Sequence, residues 1–203
     1  MLNWFSEASL FELFALVTGL GAVILLIRQN IWTWPLGLLY ATVSVWVFAR
    51  DGLYGQLLLH VFFVGMNLYG WWYWTRGGQQ EGDSVPVIRL QTEGYLLALG
   101  CAVMGTMLLG YLINAVGDAA FAWPDAAITA GSFVAMYLQA RKYLESWVFW
   151  FVLNIGSIAL YLAAGLNFYA LLYLVYLGLA VAGYVEWRRS ANRSANRSAN
   201  SSL

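Results

Sequence analysis

The sequence predicts an all-α integral membrane protein whose seven transmembrane helices form two parallel three-helix repeats joined by one inverter helix, a 3 + 1 + 3 plan. Three observations predict it: a composition too apolar for water, seven stretches long enough to cross a bilayer, and an internal repeat that lays three of those stretches on three others. Of 203 residues, 62% are hydrophobic, 17% aromatic and 10% charged, where a soluble domain carries about 25% charged residues. Ten basic residues balance ten acidic ones, so the excess of positive charge that marks a nucleic-acid binder is missing and no nucleic-acid partner is expected. A single cysteine, Cys101, and a single histidine, His60, leave no material for an internal disulfide or a transition-metal centre, and no cofactor is expected.

A membrane-crossing helix needs roughly 20 mostly apolar residues. Residues 11–27, 31–49, 53–75, 94–116, 124–140, 147–164 and 166–185 qualify. The first is not read as a signal peptide, because no Lys or Arg precedes it and the first basic residue is Arg28. The stretch 77–92, with Gly77, Gly78, Gly82 and Pro86, is the one substantial linker. The tail 190–203 reads SANRSANRSANSSL, a low-complexity repeat expected to be unstructured. Basic residues set the orientation. Arg50 stands alone on the side of the N-terminus, and the other nine of the ten lie on the opposite side. The N-terminal segment 1–10 is therefore expected in the periplasm, and the linker 77–92 and the C-terminus in the cytoplasm.

Sliding residues 11–76 onto 124–189 without a gap makes 13 of 66 pairs identical, where roughly five would arise by chance at this composition. The pairs Arg28/Arg141, Trp34/Trp147, Ser44/Ser157, Gly52/Gly165, Gly65/Gly178, Gly70/Gly183 and Trp74/Trp187 carry the alignment. Three helices is an odd number, so two units joined directly would be inverted. The single helix at 93–116 restores a parallel orientation, a known transporter plan with the substrate between the repeats near the midplane.

Polar side chains inside a membrane normally face the bundle interior. At helical spacing the third span aligns Gln56, His60, Asn67 and Trp71, and the second Thr33, Gly37, Tyr40 and Ser44. The fifth aligns Asp125, Thr129, Ser132 and Gln139, the sixth Trp147, Trp150, Asn154 and Ser157, and the seventh Tyr169, Tyr173 and Tyr176. Each residue alone could serve as helix–helix glue; together the stripes describe a solute pathway. Amides pair with amide and hydroxyl groups without a formal charge, and aromatic faces stack on flat or cationic rings. No Lys or Arg falls inside a span, so a phosphate would go uncompensated. A nucleoside fits and a nucleotide does not.

The run GLYGQLLLHVFFVGMNLYGWWYW at 52–74, with RKYLESWVFWFVLN at 141–154, resembles the PnuC family of nicotinamide riboside transporters. The resemblance covers nearly all of residues 11–187. It implies a vitamin B3 transporter of the bacterial inner membrane that supplies NAD biosynthesis, with a distant likeness to the SWEET sugar transporters. It further implies facilitated diffusion, with a cytoplasmic nicotinamide riboside kinase trapping the product. By analogy Asn67 and Asn154 are the principal hydrogen-bonding amides, Gln56, His60 and Gln139 secondary polar contacts, and Trp150, Trp71 and Trp46 ring partners. A proton- or cation-coupled nucleoside or vitamin symporter is the alternative, but every acidic residue near a span lies at its end, whereas coupling normally uses a midspan carboxylate. An enzyme is not expected: neither H-E-x-x-H nor G-x-S-x-G occurs. Besides the bilayer, a homo-oligomeric partner is expected, as Gly65, Gly70, Gly178 and Gly183 allow close helix approach within or between subunits.

Overall fold

The computed structural model describes residues 7–50, 54–77, 85–116 and 121–201. Seven helices run through them: α1 (Glu7–Ile27), α2 (Thr33–Arg50), α3 (Tyr54–Arg76), α4 (Thr92–Val116), α5 (Ala122–Ala140), α6 (Ser146–Ala163) and α7 (Asn167–Ser201). The chain divides into two compact units, Met1–Val85 and Pro86–Leu203. In the first, α2 packs on α1 and on α3; in the second, α5 packs on α4 and α6, and α6 on α7. Neighbours in sequence are neighbours in space, as short connections require.

By length and apolar content alone, three stretches of the described residues can cross a membrane: Thr92–Ala115, Ser146–Ala163 and Asn167–Ser194. The expected number is seven. α2, α3 and α5 reach 18, 23 and 19 residues, but their polar stripes lower their average hydropathy. Polar faces of this kind belong to the interior of a bundle, and a window average cannot separate them from the apolar faces beside them.

The corners between helices explain several of the repeat identities. α1 ends in a Schellman motif: Gln29 adopts φ 53°, its N–H reaches the Leu26 carbonyl at 2.9 Å, and the Asn30 N–H reaches that of Leu25 at 2.9 Å. α5 ends the same way at the aligned position, with Lys142 at φ 58° and bonds from Lys142 to Gln139 and from Tyr143 to Leu138 at 3.0 and 2.9 Å. A third such end follows α6, at Gly165, φ 74°, where no side chain resists the left-handed conformation. Its repeat partner Gly52 lies outside the described residues.

Behind each corner sits the same packing unit. Trp34 meets Trp74 edge-on with ring centroids 5.2 Å apart, and Trp147 meets Trp187 edge-on at 5.5 Å. All four indoles are buried. Gly70 faces the Trp34 ring and Gly183 the Trp147 ring, so closely that a Cβ at either glycine would collide with the indole. These two Trp identities and one Gly identity are one tertiary contact written twice.

The last part of the linker is ordered. Ile88 pairs with Tyr143 in a short parallel bridge: its N–H donates to the Lys142 carbonyl at 3.1 Å, and its carbonyl accepts from the Leu144 N–H at 2.9 Å. Two residues on, the Leu90 N–H donates to Glu145 Oε2 at 2.8 Å. This strap holds the start of α4 to the α5–α6 corner. The R-K-Y-x-E-x-W run thus spends Lys142, Tyr143, Glu145 and Trp147 on the fold.

The expected unstructured tail is corrected: α7 continues to Ser201. Glu186 supports the extension, pairing with Arg193 at 3.1 Å and with Arg189 at 3.9 Å one turn on. The spacing of Arg and Ala in the SANR repeat suits a solvated helix.

Candidate substrate site

In the first unit, His60 and Asn67 are seven residues apart on α3, two turns along one face, and both are buried. His60 sits in an aromatic box. The rings of Phe48, Phe63 and Tyr40 lie 4.8, 5.6 and 5.7 Å from its centroid, and the Tyr40 hydroxyl is 3.5 Å from Nε2. Asn67 donates from Nδ2 to the Phe63 carbonyl at 2.8 Å. Its Oδ1 lies over Gly37, whose missing side chain leaves the room it occupies. That bond back to its own helix fixes the amide and leaves Oδ1 without a hydrogen bond among the described residues.

The second unit holds its amides differently. Gln139 is buried at the end of α5, and its Oε1 accepts from the Trp150 Nε1–H at 2.6 Å. Its Nε2 points to Met136 Sδ at 4.0 Å, a weak contact. Two expected site residues therefore hold each other: the amide sets the orientation of the indole. One turn beyond Trp150, Asn154 is 5% exposed. Its carboxamide makes no hydrogen bond among the described residues, although buried polar groups are almost always paired. The carboxamide atoms are not among the fully enclosed atoms that lack a partner, so they keep some accessible surface.

The two uncommitted amides occupy non-equivalent places. The repeat register sets Asn154 on Ala41 and Asn67 on Ala180, and both alanines are buried. Each unit thus carries one asparagine on its buried face where the other carries alanine.

The remaining expected residues do not join these clusters. Trp46 is 55% exposed and lies under the Arg50 guanidinium, 5.3 Å from its ring centroid; such a pair suits a membrane boundary. Trp71 is 39% exposed, while Trp74, three residues on, takes the core position. Gln56 lies on α3, with its side chain outside the described residues.

Three aromatic residues near these amides were absent from the sequence stripes. Tyr161 is seven residues after Asn154 on the same α6 face and stacks with Tyr169 at 5.5 Å and Tyr173 at 5.2 Å. The i+7 spacing was a usable signal. Phe48, four residues after Ser44, could have been found in the same way; Phe63 could not, because apolar residues fill that stretch of α3. Among the described residues the buried charged side chains are Lys142 and Glu145, both at the α5–α6 corner, Lys142 three residues after Gln139. What the clusters offer is uncharged hydrogen bonding beside aromatic faces.

The sequence matches the model of the nicotinamide mononucleotide transporter family over residues 9–189. It is 31% identical over 175 residues to the riboflavin/roseoflavin transporter RibM of Streptomyces davaonensis, covering 84% of this chain and 81% of that one. It is 27% identical over 209 residues to the nicotinamide riboside transporter PnuC of Escherichia coli K12, covering 91% and 87%. The crystal structure of the vitamin B3 transporter PnuC superposes with a TM-score of 0.73 at 26% identity, covering 93% of this chain and 85% of that one. The chain belongs to the PnuC family and is a membrane transporter, not an enzyme.

Proposed function

We propose that this protein carries nicotinamide riboside across the bacterial inner membrane by facilitated diffusion, with the N-terminus outside, the C-terminus in the cytoplasm, and a cytoplasmic riboside kinase keeping the gradient inward. Two parallel three-helix repeats around the α4 inverter would form the pathway. The observation that carries the reading is Asn154, 5% exposed and without a hydrogen bond among the described residues, one turn from an indole already oriented by Gln139. Amide and indole together suit a ligand that joins a flat ring to hydroxyl and carboxamide groups. That no Lys or Arg falls inside the spans read from the sequence argues for the riboside over its phosphate. A second reading, riboflavin, is favoured by the 31% identity to a riboflavin transporter, and its ribityl chain and fused ring ask for the same contacts.

Counterflow in kinase-free proteoliposomes separates these readings. Labelled nicotinamide riboside should exchange, competed by unlabelled riboside and not by nicotinamide mononucleotide. Exchange competed only by riboflavin would transfer the assignment to the second reading, and uptake above equilibrium under an imposed proton gradient would overturn facilitated diffusion. Asn67→Leu and Asn154→Leu should each weaken substrate affinity by about 5- to 150-fold, the equivalent of one polar partner lost in a buried site. Wild-type affinity in both would remove these residues from the pathway.

A further inference from the structure

In the second unit α4 and α6 each pack on α5 and not on each other, and a groove runs between them with α5 as its floor. It encloses about 660 Å³, within the roughly 300–1,000 Å³ of small-molecule sites. Tyr95 stands at one end and Trp123 at the other, with Leu99 and Met107 of α4 forming one wall and Val152 of α6 the facing one. Its floor is shallow because α5 places Ala127 and Gly131 there. The hydroxyl of Thr106, on the same wall, is spent on the Ala102 carbonyl at 2.7 Å. A polar solute would find nothing to bond; a hydrocarbon chain would fit.

The length of the groove identifies the chain. From Tyr95 to Met107 the α4 axis rises ~18 Å, slightly more than one leaflet, half of a hydrocarbon core ~30 Å thick. Beyond the Tyr95 end lies Arg89. The strap pins its neighbours on both sides, Ile88 to the α5–α6 corner and Leu90 to Glu145, while Arg89 itself is exposed and makes no ion pair among the described residues. An exposed guanidinium on the strap that leads into the Tyr95 end of an acyl-sized groove is complementary to a phospholipid headgroup.

We infer that this groove is a lipid site, holding one phospholipid acyl chain between α4 and α6 with the headgroup phosphate on Arg89.

Native mass spectrometry of the full chain, released from detergent and titrated with palmitoyl-oleoyl phosphatidylglycerol, tests it. A retained one-lipid adduct is expected, weakened about fivefold in Arg89→Gln and lost in Ala127→Phe, which fills the floor. Ala102→Phe repeats the test from the α4 wall should Ala127→Phe not fold. Adducts unchanged in Arg89→Gln and in the filled variants would overturn the site. So would filled variants that alter oligomer mass while lipid is retained, since the groove would then seat another copy of the chain.

Discussion

Gly183→Ala puts the repeat packing to a quantitative test. A Cβ at Gly183 would lie 2.5 Å from three carbons of the Trp147 indole, a separation that forces something to move. Trp147 cannot retreat, because Trp187, fully buried, stands edge-on against it. Overpacking of this kind costs about 1–3 kcal/mol, partly offset by the 0.5–1 kcal/mol or so that alanine gains over glycine in a helix. Gly178, also on α7 and also a repeat identity, removes the offset from the comparison: nothing lies within 4 Å of its Cβ position, so Gly178→Ala retains only the helix gain. The two variants should therefore differ by the packing cost alone, about 1–3 kcal/mol or roughly 2–12 °C in melting temperature for a chain of this size. Thermal unfolding in detergent, followed by circular dichroism, measures the difference. The same order should hold in the first unit, Gly70→Ala melting below Gly65→Ala. If Gly183→Ala melted at or above Gly178→Ala, the Trp–Gly contact would not be the constraint that repeats.

Three further predictions concern the second unit. Gln139→Leu removes the acceptor of the Trp150 N–H; substrate affinity should fall although Asn154 is untouched, and unchanged binding would separate the indole from the pathway. Burial lowers the Lys142 ammonium to about 8, whereas the unfolded chain titrates it near 10.5. Between those values the unfolded state holds more protons, so stability should rise with pH from about 8 to 10.5, by up to about 3 kcal/mol. Below that window the cost of the buried charge is fully present. Lys142→Gln should lose this dependence, and equal pH profiles for both proteins would refute it. Glu145→Ala leaves the Leu90 N–H without its charged acceptor, and hydrogen exchange at Leu90 should accelerate by about tenfold or more, from a bond worth roughly 1.5–3 kcal/mol. Unchanged exchange there would mean that the Ile88 bridge alone holds the strap.

The sequence alone determined the helical membrane class, the approximate spans and the register that pairs Trp34 with Trp147 and Gly70 with Gly183. Hydropathy, helical periodicity and self-similarity are local properties, readable without knowing what touches what. The same periodicity brought out His60, Asn67 and Asn154 as buried polar positions. Tertiary structure decided the rest. The left-handed corners at Gln29 and Lys142 carry no glycine to announce them; their conformation is imposed by hydrogen bonds to the preceding helix end. Gln139 and Trp150 are eleven residues apart across a corner, so neither stripe could indicate that one orients the other. Trp46 and Trp71 have the same composition signal as Trp74, and only packing shows which indole goes inside. The strap from Ile88 to Leu90 lies in a segment that reads as linker, because a backbone amide donating to Glu145 leaves no mark on composition. Contacts between elements depend on how helices are stacked, and stacking is what gives the second unit its groove over α5 and its oriented indole.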